Sequence, residues 1–200
     1  MSTSGTYHHG DLRQAVMSAA LDVIRDEGPS ALSLRDLARR AGVSHAAPAH
    51  HFKDRAGLLT AIATEGYHLL ADALAKPPGL RERGVAYVRF AIAHPAHFQV
   101  MFQPDLHRGD DPRLTAAKER AAAELSAGVA SLAPPSARAS AKAPDPRTAR
   151  IAAWSLAHGF ATLLLTHNLD DPAGDRDPAE VFRSLAGLLF ASTEPQGARE

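Results

Sequence analysis

From Asp11 the apolar residues Leu12, Ala15, Val16, Ala19, Ala20, Val23 and Ile24 recur at steps of three and four, the spacing of one helical face. Gly28-Pro29 stops that run, and Ser33 is placed to cap a second helix with Asp36 in its positive first turn. Leu34, Leu37, Ala38 and Ala41 mark this short amphipathic helix, which meets a Gly42-Val43-Ser44 turn. A third helix is predicted to open on Ser44 and close on Phe52, with Pro48 in its first turn or just past it, where a missing N–H costs least. Asp54 caps a longer helix, about 54–76, through Leu58, Leu59, Ile62, Tyr67, Leu70 and Leu74, and Pro77-Pro78 ends it. Further helical runs are predicted over 80–94, 96–102, 113–133, 147–169 and 178–192, with prolines at the joints and no strand-like alternation of useful length. The pattern is that of an all-α chain of about nine helices. A three-helix helix-turn-helix unit fills 1–55 and continues into the fourth helix, and a helical body follows over 77–200.

Composition narrows the chemistry. Two hundred residues with 45% hydrophobic content can bury a sizeable core. The absence of cysteine excludes disulfides, a thiolate zinc site and a cysteine nucleophile. A polar start and the lack of any apolar run near the roughly 20 residues that span a bilayer predict a soluble cytoplasmic protein without membrane contact. Residues 136–146, SARASAKAPDP, look like a flexible linker. With 22 basic and 22 acidic residues the chain is neutral overall, so local charge must decide whether nucleic acid is a partner. Arg35, Arg39, Arg40, Lys53 and Arg55 face only Asp36 and Asp54 in the helix-turn-helix. Such a cluster releases counterions from phosphate, while a turn of this kind lets a short second helix enter the major groove.

The run YHHGDLRQAVMSAALDVIRDEGPSALSLRDLARRAGVSHAAPAHHFKDRAGLLTAI, from residue 7 to about 65, resembles the DNA-binding domain of TetR-family transcriptional regulators. The pattern L-x-x-L-A-x-x-A-G-V-S followed by H-F-x-D-R-x-x-L-L carries the resemblance. Downstream, YVRFAIAHPAHFQVMF (87–102) and Trp154-Ser155-Leu156-Ala157-His158-Gly159 are similar to the ligand-binding domain of a subgroup with a Trp/His-Gly signature. The resemblance implies that His45, Ala46 and Ala47 face base edges, the histidine toward an acceptor and the alanines in apolar contact. Ser33, Arg35, Arg39, Arg40, Ser44, His50, His51, Lys53 and Arg55 would complete the DNA contact, largely on phosphate, and His8 and His9 would approach the backbone. Family members commonly carry a tyrosine that grips phosphate where this chain has Ala49.

For the body the resemblance implies a dimer in which the last two helices of each protomer form a four-helix bundle, with Leu163, Leu164, Phe182, Leu185 and Leu189 at the interface. Tyr87, Phe90, His94, Phe98, Met101, Phe102, Trp154, His158 and Phe160 are the residues expected to line a pocket for a small, largely apolar effector. The expected function is a ligand-controlled repressor on a palindromic double-stranded operator, without enzymatic activity or cofactor. Two other readings stay open. One is a metal-dependent enzyme or metal sensor built on His94 and His97, three apart, with His107 or His158. The other is a ligand-binding paralogue whose grip on DNA is weakened at Ala49.

Overall fold

The computed structural model describes residues 8–131, 145–170 and 174–190, and among these it contains helices and no strands. In chain order the α-helices are α1 His8–Glu27, α2 Leu34–Arg40, α3 Ala47–Phe52, α4 Arg55–Ala75, α5 Leu80–Ala93, α6 Pro95–Met101, α7 Pro112–Ala130, α8 Pro146–Leu165 and α9 Pro178–Phe190, with single 3-10 turns at Pro29–Ala31 and Pro104–Leu106. The expected all-α architecture is therefore present. The linker expected over 136–146 lies, as far as residue 144, outside the described residues. None of the described helices is long and apolar enough to cross a membrane.

The chain forms two compact units, and the division is not a single cut along the sequence. Of the described residues, the first takes in those up to His68 together with His94–Glu119, and the second takes in Leu69–Ala93 and those from Arg120 onward. Segment 94–119, placed by its sequence position with the larger body, is thus part of the unit that holds the helix-turn-helix. The reason is burial: Ala96 and Val100 of α6 and Leu114 of α7 share one core with Val16, Met17 and Ile24 of α1, Leu37 of α2, Phe52 of α3 and Leu58, Leu59 and Ile62 of α4. Gly66 lets α6 come close, since a Cβ there would stand 2.5 Å from the Met101 sulfur.

The second unit is built around α5, which packs against α8 and α9. Gly84 admits the Phe182 ring, which a Cβ at 84 would meet at 2.6 Å, and that ring lies 5.4 Å from Phe160. Around this core Arg183 grips Glu82 through two hydrogen bonds of 2.9 Å, and Arg83 reaches both the carbonyl (2.7 Å) and the carboxylate (2.8 Å) of Glu124. Phe182, expected at a dimer interface, is instead only 2% exposed, because its ring fills the space that Gly84 leaves open.

Two glycines of the first unit differ in what they allow. Gly42 has φ 66 and open space around its Cα, so only backbone conformation constrains it. A Cβ at Gly57 would overlap the Phe52 carbonyl oxygen, which cannot move without displacing α3. Gly42→Ala is expected to cost about 1 kcal/mol of unfolding free energy and Gly57→Ala about 3 kcal/mol. Denaturant titration of the two variants checks the order, and equal costs would contradict it.

Candidate nucleic-acid interface

The helix-turn-helix is closed by backbone geometry. At the end of α2, Gly42 in the left-handed region lets Val43 N–H donate to the Ala38 carbonyl at 3.0 Å and Gly42 N–H to Arg39 at 3.3 Å, the paired bonds of a Schellman cap. Val43 then packs on the core. Ser33 occupies the N-cap of α2 in extended conformation, but its hydroxyl makes no capping bond, so the cap rests on its carbonyl, which accepts from Leu37 N–H at 2.9 Å.

Helix α3 starts later than its sequence predicts. Ser44 is not its N-cap: a turn closes from Ala47 N–H to the Ser44 carbonyl at 3.0 Å, and Ala46 caps α3. Pro48 causes the delay, because the chain can enter a helix here only where a missing N–H is not needed. It lies within the first two helical positions and is fully buried, so its ring is core and not a defect. His45 and Ala46 accordingly lie in the turn before α3, both exposed, with Ala47 half-buried at the first helical position. His50 is exposed and its ring stands edge-on to half-buried His51 at 5.3 Å; Ala49 is exposed.

The cations expected to meet phosphate fall into two groups. Arg35 and Lys53 are exposed, and neither makes an ion pair among the described residues. Arg39 and Arg40 share Asp36, each at 2.6 Å, and Arg40 also reaches Glu27 at 3.2 Å. Those contacts, Arg39 foremost, hold the Asp36 carboxyl below its ordinary pKa. Both arginines remain on the surface, with Arg39 showing 71% of its side chain to solvent. Arg55 points inward: its Nη2 donates to the Pro29 carbonyl at 2.6 Å, which ties the start of α4 to the turn after α1. The side chains of His8 and His9 lie outside the described residues, and α1 already begins at His8, ahead of the Asp11 start its sequence predicts.

Sequence alone missed the element that fixes α3 against α4. Lys53 ends α3 with φ 69 and ψ −59, a conformation that a side-chain-bearing residue rarely holds. Asp54 then accepts from Gly57 N–H at 2.8 Å through Oδ1 and from Arg108 Nη2 at 2.6 Å through Oδ2. Arg108 N–H donates to the Thr60 hydroxyl at 2.9 Å, so the loop between α6 and α7 clasps the first two turns of α4 at two points. The Arg13 guanidinium covers the Phe52 ring at 5.4 Å. Asp54 was legible as a cap; Arg108, about fifty residues away, offered no local signal.

The residues expected around an effector are spread over both units. In the first, Phe98 and Met101 are buried, Phe102 is half-buried 4.9 Å from Phe98, and the His94 ring lies 5.7 Å from that of His97. In the second, Tyr87, Phe90 and Phe160 are buried, the Tyr87 hydroxyl and His158 Nδ1 are 2.9 Å apart, and Trp154 is 44% exposed on α8. His97 Nε2 pairs with Glu65 at 3.3 Å, and the described residues contain no group of three side chains able to hold a metal ion. At the expected dimer face Leu163 is 46% exposed, Leu164 and Leu185 are half-buried, and the Leu189 side chain lies outside the described residues.

Comparison with known proteins agrees with this geometry. A family model described as "Tetracyclin repressor-like, C-terminal domain" matches residues 80–189, and one described as "Bacterial regulatory proteins, tetR family" matches residues 16–62. Over 63 residues the chain is 40% identical to the HTH-type transcriptional regulator BetI of Cronobacter sakazakii; the match takes in 32% of this chain and 31% of that relative's length. A protein of unknown function from Rhodococcus sp. RHA1 is similar in structure at 30% identity and a TM-score of 0.74, over 94% of this chain and 98% of its own. PfmR of Thermus thermophilus, a TetR family transcriptional regulator, shares the fold at 21% identity and a TM-score of 0.68, over 90% of this chain and 99% of its own.

Burial, foremost, pushes the imidazoles of His94, His107 and His158 below the ordinary histidine value. Each folded pKa is depressed, so its contribution to stability is full above about 6.5 and is lost as pH falls through the folded value. The melting temperature is expected to fall on going from about pH 7.5 to about pH 5.5, and calorimetry showing a rise over that window contradicts the assignment.

Proposed function

We propose, from the premise that the chain belongs to the TetR family of bacterial regulatory proteins, that it is a repressor binding a palindromic operator as a homodimer and released by a small effector. The observation that carries the DNA-binding part is the exposed rim of the helix-turn-helix. Arg35, Lys53, His45 and His50 stand on the surface, while the opposite side of α2 and α3 is locked into the core through Leu37, Pro48 and Phe52. In this reading His45 and Ala46 read base edges from the turn at the head of α3, with Ala47 and His50 beside them on the helix. Arg35, Arg39, Arg40, Ser33, Ser44, His51 and Lys53 position the head on phosphate. Arg55 acts inside the fold and contributes through stability.

Ile151, Trp154 and Leu163 of α8 and Leu188 of α9 are large, apolar and 43% or more exposed, as is Ile92 of α5. Exposed apolar side chains on the last two helices suit a face covered by a second copy. Two-fold pairing then sets the two recognition helices about one turn of DNA apart, or a multiple of it, on a roughly symmetric site. The proposed site of action is the cytoplasm, where the chromosome lies.

An effector works here only if it binds the DNA-free arrangement more tightly than the DNA-bound one. The clasp of Arg108 on Asp54 and Thr60 offers the α6–α7 loop a direct hold on the start of α4, and so on the turn that orients α3.

Fluorescence anisotropy on a duplex from the DNA upstream of the protein's own gene tests this reading. Arg35→Ala is expected to weaken binding about fivefold and to reduce the slope of log affinity against log salt by about one. Lys53→Gly relieves the positive φ while removing the charge, so stability rises by about 1 kcal/mol as affinity falls. Ala49→Tyr is expected to tighten binding several-fold. Affinity unchanged by all three contradicts the assignment of this rim. Sedimentation of the Leu163→Asp, Leu188→Asp double variant is expected to show monomers; a dimer of undiminished stability removes α8 and α9 from the interface.

A further inference from the structure

One carboxylate in the first unit serves two cations that the fold does not treat alike. Asp36 of α2 gives Oδ1 to Arg39, whose Nε and Nη2 donate to it at 3.2 and 2.6 Å, and Oδ2 to Arg40, whose Nε donates at 2.6 Å. Arg40 Nη2 also donates to Glu27 of α1 at 3.2 Å, so this side chain is held by acids from two helices. Arg39 is held by a single oxygen of a single acid, and 71% of its side chain is open to solvent against 41% for Arg40. Arg39 also stands four residues after Arg35, a spacing that puts two side chains on one helix face. Arg35 is exposed and makes no ion pair among the described residues, so Arg39 is folded back beside a cation that faces solvent.

The two pairs differ in what breaking them leaves behind. If Arg40 lets go, Asp36 and Glu27 both lose a contact. If Arg39 lets go, Asp36 keeps Arg40 at 2.6 Å and its charge is still answered. An exposed ion pair is worth little in water, and a phosphate, which releases counterions when a guanidinium reaches it, competes with a carboxylate for the same donors. We propose that Asp36 holds Arg39 back in the free protein and that Arg39 exchanges this carboxylate for a DNA phosphate on binding, while Arg40 stays on Asp36 and Glu27. Asp36 is then an internal competitor of DNA. It lowers affinity for every duplex alike, since a phosphate contact carries no sequence information. Arg40 uses only Nε and Nη2 among the described residues, so Nη1 is left to meet phosphate without a change of partner. This inference rests on the reading that the helix-turn-helix rim binds DNA, and it gives two arginines of that rim different behaviour.

The test uses the full chain and two duplexes of equal length, one from the DNA upstream of the protein's own gene and one of the same composition in shuffled order. Anisotropy is expected to show Asp36→Asn binding both about threefold tighter than the parent. That gain is expected to vanish when Arg39 is already alanine. It is at least as large when Arg40 is alanine, because Asp36 then has Arg39 alone and holds it harder. A carboxylate that merely repelled DNA would give the same gain in every background. The arginine Nε–H signals of the parent chain, assigned from Arg39→Lys and Arg40→Lys, give a reading that needs no change at Asp36. On addition of either duplex the Arg39 signal is expected to shift and the Arg40 signal to move far less. No gain in Asp36→Asn, a gain that persists in Arg39→Ala, a gain confined to one duplex, or an Arg40 signal that shifts as far as that of Arg39 overturns the exchange while DNA binding stands. A parent chain that binds neither duplex at low salt overturns the reading of the rim and the exchange with it.

Discussion

The contact on which the recognition unit depends is the approach of the Phe52 carbonyl to the backbone of Gly57. No side chain fits between them, so α3 ends and α4 begins within van der Waals contact of one another. Lys53 absorbs the turn in a strained conformation, Asp54 caps α4 through Gly57 N–H, and Phe52 carries the turn into the core. Each of these features follows from the first. A short helix with only six residues has little stability of its own, and α3 is held as a helix by what its ends are fastened to. The outward side chains of α3 are thereby fixed relative to α2, and side chains reading a groove need that fixed relation.

Much of this was legible because short-range patterns determine it. The apolar spacing of α1 and α4, the Gly42 cap of α2 and the Asp54 cap of α4 each depend on residues a few positions apart, which a linear pattern records. The start of α3 was not, because Ser44 is much the better N-cap locally, and Pro48, buried in the tertiary core within the first two helical positions, leaves the helix to begin after Ala46 without a side-chain cap. The same limit explains Arg55. Its charge is visible in the sequence, but the Pro29 carbonyl that turns it inward is supplied by a segment 26 residues earlier. The resemblance put Phe182 at an interface; Gly84, on another helix, leaves the space in which its ring is buried. The spread of the expected effector residues over two units was likewise out of reach, since the chain returns to the first unit at His94 and leaves it again near Glu119.

Charge is arranged in this molecule by position and not by amount. A chain with equal numbers of acids and bases still presents Arg35 and Lys53 exposed and without an ion pair among the described residues, while the neighbouring carboxylates are engaged elsewhere, Asp36 with Arg39 and Arg40 and Asp54 with Arg108. The Asp54–Arg108 pair is exposed enough that it adds little to stability. Its effect is one of placement: it links the α6–α7 loop to the residue that caps α4. In the proposed ligand response a weak contact suits a switch, since an effector needs to shift an equilibrium by only a few kcal/mol to move most of the population.

The central claim is that this rim holds DNA on a two-fold site. Footprinting of the full chain on the region upstream of its own gene tests it most directly. The account predicts two protected half-sites of equal length, related by two-fold symmetry about one helical turn apart or a multiple of it, and both fading together as salt is raised. No protection at low salt, or a single protected half-site on every fragment, contradicts it.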